Sequence, residues 1–83
     1  MRTDLVTDTE LELARMWAGL LAVDRVDRCD DFFNLGGDSM LATVLILDAR
    51  RTWKVEFSVR ALIGAPVLKD LAALIDGLVA ARG

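Results

Sequence analysis

Histidine is absent from this chain of 83 residues, and cysteine and proline occur once each. Each scarcity removes a class of function. Without an imidazole, nothing on the chain readily takes a proton from a serine or cysteine near neutral pH, so the usual nucleophile–base pairs of hydrolases are missing. The lone cysteine, Cys29, closes no internal disulfide and offers no second thiolate for a metal, which excludes a disulfide scaffold and a zinc module. No apolar run approaches the roughly 20 residues that cross a bilayer, and the N-terminal MRTDLVTDTE has no apolar signal core. A membrane partner is not expected, and a reducing cytoplasm is the default location.

Basic charge is sparse as well. The formal net charge is −3, and it is unevenly placed: nine acids stand against four bases up to Asp38, and four acids against six bases after it. Arg50, Arg51 and Lys54 form the only local basic cluster, which reads as a solvated helix end and not as the basic stripe of a nucleic-acid binder. What the chain does have is apolar content, 54%, enough for a folded core. That core is a single domain spanning residues 1–83, expected to act as a monomer. In so small a domain, a ligand cavity of several hundred cubic ångströms would compete with the core for the same side chains.

Periodicity divides the chain into four helices. Thr7 and Glu10 in TDTE form a candidate capping box, followed by Leu13, Trp17, Leu20 and Leu21 at helical spacing, which predicts a first helix over about 8–22. Residues 23–38 lose all period but keep four apolar anchors, Val26, Phe32, Phe33 and Leu35, as in a loop packed down over a core. A second helix over about 39–52 presents Leu41, Ala42, Leu45 and Ala49 as its core stripe. Ser58 is a candidate cap for a short helix over about 59–63. Leu68, Leu71, Ala72, Ile75, Leu78 and Val79 mark a last helix over about 67–81. The snippet KVEFSV is too short and isolated to build a sheet. The expected fold is all-α, a four-helix bundle with one short member.

The stretch LGGDSM, residues 35–40, concentrates the chemistry. Ser39 admits three readings: nucleophile, helix cap, or attachment point. As a nucleophile it lacks a base, and the half-match to a nucleophile elbow fails because position 41 is leucine. As a cap, Ser39 or Asp38 would satisfy free backbone N–H groups, which leaves unexplained the two preceding glycines, the aromatic loop, and the apolar residues Met40, Val44 and Leu47 on the outer face beside Thr43. An attachment point accounts for all of them. A phosphate ester at a helix start meets free N–H groups and the positive end of the helix dipole, Gly36 and Gly37 keep the approach clear, and the outer apolar face receives partner enzymes. Cys29 reads as a small, half-buried loop residue, and Asp27, Asp30 and Asp31 as a solvated acidic face without the spacing of a calcium loop.

The run DDFFNLGGDSMLA, Asp30 to Ala42, resembles the signature D-x-F-F-x-L-G-G-[DH]-S-[LM]-x-A of the peptidyl carrier (thiolation) domains of nonribosomal peptide synthesis, within the acyl carrier superfamily. ELELARMW with a leucine four residues on, VEFSVRALIGAP and LKDLAALI extend the likeness along almost the whole chain. The resemblance implies an acyl-carrier four-helix bundle that is not an enzyme. It implies a serine, here Ser39 with Gly37 and Asp38 beside it, that takes covalent 4′-phosphopantetheine from coenzyme A. The transfer is made by a separate phosphopantetheinyl transferase that uses Mg²⁺; the carrier itself holds no metal. The arm's thiol would hold an amino acid or peptide as a thioester and pass it among adenylation, tailoring and condensation enzymes, with Met40, Thr43, Val44 and Leu47 as the docking residues.

Val26-Asp27 replaces the family's usual Ile-Gly or Val-Gly pair, Val44 stands where an arginine is common, and Leu47 where a polar residue is frequent. Pro66-Val67 replaces Pro-Thr, at a cost of about 1 kcal/mol in lost capping. The termini, close to the first and last helices, suggest a free-standing carrier. The LGG before Ser39 favours the peptidyl branch over an acyl or aryl carrier of a polyketide or fatty-acid pathway. A helical interaction module without a cofactor is the alternative from another class.

Overall fold

In a computed structural model of the chain, residues 7–82 are described. They form α1 (Asp8–Leu21), α2 (Ser39–Trp53), α3 (Val59–Gly64) and α4 (Leu68–Arg82), joined by a long first loop and two short ones. α1 packs against both α4 and α2, and α3 closes onto α2. The radius of gyration is 11.6 Å. KVEFSV forms no strand; its Val55 is buried.

Local chemistry explains where the helices start. Thr7 is the N-cap of α1, its hydroxyl accepting from Glu10 N at 3.1 Å, as the capping motif predicts. The Glu10 side chain has a longer-range role than a box partner. It is buried, and its two oxygens accept from Nε and Nη2 of Arg28 in the loop, at 3.0 and 2.9 Å. Asp38 caps α2, accepting from Leu41 N at 2.9 Å. Ser58 occupies the N-cap position of α3, but its hydroxyl makes no capping bond. The Val67 carbonyl accepts from Asp70 N and Leu71 N at the start of α4, so a backbone group serves there without a hydroxyl. α1 and α2 both end in left-handed residues that are not glycine, Ala22 at φ 55° and Lys54 at φ 57°.

The core differs from the periodicity reading at its margins. Trp17 and Phe32 meet edge to face at its centre, 5.1 Å between ring centroids, surrounded by Leu13, Leu45, Leu62, Leu68, Leu71 and Ile75. On α2 the buried residues are Ala42, Leu45, Ile46 and Ala49, while Leu41 is only half-buried.

 The inward arc of α2 therefore runs through Ala42, Leu45, Ile46 and Ala49. The expected stripe had Leu41 and lacked Ile46, because α1 and α3 grip α2 from two sides and turn the buried arc toward position 46. Leu20, Leu21 and Val79 pack against the core from partly buried positions, and Leu78 is likewise half-buried.

Candidate functional site

The loop before α2 holds the site in place. Of its four expected anchors, Val26 and Phe32 are buried, Leu35 is half-buried against the core, and Phe33 lies at the surface, edge-on to Phe32 at 5.4 Å. The loop is pinned to the start of α4 by three backbone bonds: Phe32 N to Pro66 O (2.9 Å), Leu68 N to Asp30 O (3.0 Å) and Lys69 N to Arg28 O (2.9 Å). Asp31 and Val67 form an isolated antiparallel bridge within this seam. On the other side, the Glu10–Arg28 pair ties the loop to α1.

The acids expected to form a solvated face are instead part of the loop's own wiring. Asp30 Oδ2 accepts from Asp27 N at 2.8 Å, and Asp31 Oδ1 accepts from Phe33 N (2.8 Å) and Asn34 N (3.1 Å). All three acids are half-buried; the short carboxylates of Asp30 and Asp31 satisfy N–H groups of their own turn, and Asp27 takes part through its backbone. Among the described residues, no group of three or more acids, cysteines or histidines is placed to hold a metal ion. Cys29 is exposed, not half-buried; the backbone groups of Arg28 and Asp30 face α4 and leave its side chain outside.

Gly36 and Gly37 meet different demands. Gly36 has φ +108°, a backbone conformation that side chains resist, with open space around it. Gly37 lies on Phe32: a Cβ there would stand 2.7 Å from the Phe32 carbonyl oxygen and closer still to the ring. Close packing, in addition to a clear approach, therefore requires the second glycine.

Ser39 is exposed as the first residue of α2. Capping falls to Asp38, whose side chain takes Leu41 N and whose carbonyl takes Ala42 N at 2.8 Å. The Ser39 hydroxyl is thus left without a structural bond among the described residues, which removes the cap reading. The N–H groups of Ser39 and Met40 are the helix donors left over beside it, suited to an anionic ester on the serine. Thr43, one turn on, donates its hydroxyl to the Ser39 carbonyl at 3.0 Å. Beyond it Met40, Val44 and Leu47 stand 77%, 45% and 52% exposed. Two surface grooves, of about 200 and 330 Å³, lie elsewhere, one along α1 near Val26 and one between Lys54 and Leu78.

Comparison with known proteins agrees with this arrangement. Residues 12–75 match the family described as the phosphopantetheine attachment site. Malpibaldin synthetase of Mortierella alpina is 49% identical over 69 residues, which cover 83% of this chain and 1% of that protein. The chain thus spans about one hundredth of that relative's length. Among solved structures, a nonribosomal PCP domain superposes with a TM-score of 0.78 at 38% identity, over 88% of this chain and 94% of that one. A peptidyl carrier protein in complex with the phosphopantetheine transferase Sfp and coenzyme A gives 0.86 at 26% identity, over 92% and 99%. No helix among the described residues is long and apolar enough to cross a membrane. The chain belongs to the phosphopantetheine-attachment family, in its peptidyl carrier branch, and has that branch's four-helix fold.

Proposed function

We propose that Ser39 is the attachment serine and that the chain carries an amino acid or peptide as a thioester between the enzymes of a nonribosomal peptide pathway. The observation that carries this reading is an exposed serine hydroxyl at the head of α2, released from capping by Asp38. In the transfer, a bond forms from Ser39 Oγ to phosphorus as the diphosphate P–O bond of coenzyme A breaks. The nucleotide leaves with the electron pair, and the serine proton passes to a base on the transferase. When attached, the arm supplies a terminal thiol that holds the acyl group. The protein's own residues hold the serine at a helix start, place two N–H donors beside the ester, and offer an apolar face one turn away.

The partners that fit are a phosphopantetheinyl transferase, an adenylation enzyme, and condensation or tailoring enzymes, docking at Met40, Thr43, Val44 and Leu47. A carrier bound to a transferase among the structural neighbours supports the first of these. Coenzyme A chemistry supports a cytoplasmic location. Incubation with coenzyme A and a phosphopantetheinyl transferase should raise the mass of the protein by one arm, with no gain for Ser39→Ala. A gain that survives Ser39→Ala overturns the assignment.

A further inference from the structure

Phe32 makes contacts in four directions. Its ring is fully buried and meets Trp17 of α1 edge to face; its N–H donates to the Pro66 carbonyl before α4; its carbonyl accepts from Gly37 N at 3.0 Å; and its ring lies under Gly37. Gly37 is separated from Ser39 by Asp38 alone, whose backbone is extended at φ −141° and ψ −175°. Two residues of extended chain span roughly 7 Å with little slack, so the place where Gly37 rests on Phe32 sets where Ser39 emerges.

We propose that Phe32 and Gly37 are positioning residues for the modification of Ser39: the ring is the seat on which Gly37 rests, and it links the serine to α1 and to the start of α4. This rests on reading Ser39 as the attachment serine. The reaction makes the role consequential. Ser39 Oγ must approach phosphorus opposite the leaving oxygen, while its proton moves to the transferase's base, and misplacement by about 1 Å can cost about a hundredfold in rate. The outer face of α2 is a separate feature. Met40, Val44 and Leu47 belong to a helix whose inner side is held by Ala42, Leu45, Ile46 and Ala49.

The test is steady-state transfer from coenzyme A by a phosphopantetheinyl transferase, with the carrier as the varied substrate. Gly37→Ala, which forces a methyl against the Phe32 ring and carbonyl, should lower kcat by about tenfold or more and leave KM within about threefold. Ile75→Val, a core change on α4 remote from the loop, serves as the control and should keep wild-type kcat at temperatures where it is folded. A wild-type kcat for folded Gly37→Ala overturns the proposal, as does a loss in both variants that merely tracks the unfolded fraction. If Gly37→Ala does not fold, Phe32→Leu carries the test: it keeps the glycine and removes the seat. It should lower kcat while keeping its helical spectrum, and an unchanged kcat overturns the proposal. Absence of any mass gain in the wild-type protein counts against Ser39 as the attachment site, a different outcome from either variant result.

Discussion

Val44 faces solvent on α2, one turn beyond Met40, and its neighbours on that face are Thr43 and Leu47. A side chain so placed contributes little to folding, so Val44→Arg should shift the thermal midpoint by no more than about 0.5 kcal/mol equivalent. On the proposed carrier function it should nevertheless slow aminoacylation by an adenylation enzyme that loads the wild-type protein. Thermal melts beside loading rates check both halves, and a large loss of stability would mean that the face is internal. The same scale shows what a residue's type discloses and what it hides. That Asp38 caps a helix is legible from its place before an apolar run, because capping is a contact within three residues. That Gly37 must be glycine because of Phe32 is not legible, since the clash lies between the backbone of one turn and a ring folded beneath it. Phe32 and Phe33 look alike as neighbours in sequence, yet one is central to the core and the other at the surface.

At the scale of the element, the ends of α1 and α2 carry backbone strain. Ala22 and Lys54 adopt the left-handed conformation at the two C-caps, where glycine meets no Cβ penalty. Lys54 is exposed, so Lys54→Gly should stabilise the protein by about 1 kcal/mol, read as a higher midpoint in denaturant melts. An unchanged or lower midpoint would count against the strain. The start of α1 was legible in TDTE, and its Thr7 bond is formed as expected. The buried face of α2 was legible at three of its positions. Ile46 was missed because a helix held by neighbours on two sides buries an arc whose centre depends on both of them.

Across the whole molecule, the first loop is the joint that matters. It is held to α4 by backbone bonds through Asp30 and Phe32, and to α1 by Arg28 on the buried Glu10. Removing the carboxylate leaves the Arg28 guanidinium without that partner while its side chain is still two-thirds covered. Glu10→Ala should therefore cost about 2 kcal/mol, less than for a fully enclosed pair. Chemical denaturation measures the loss. Hydrogen exchange should locate the loosening in residues 27–37, and protection unchanged there would refute the clamp.

The sequence by itself determined the all-α class of the fold, the Thr7 and Asp38 caps that open α1 and α2, and the lack of histidine. These depend on composition and on contacts within a turn or two of chain, where residue order and spatial neighbourhood coincide. Only the tertiary structure decided that Glu10 reaches across to Arg28, that Asp30 and Asp31 tie the loop, and that Gly37 rests on Phe32. It also relieved Ser39 of the capping role. Each of these depends on how a loop without periodicity settles between α1 and α4, and that is set by the packing of distant side chains around Trp17 and Phe32.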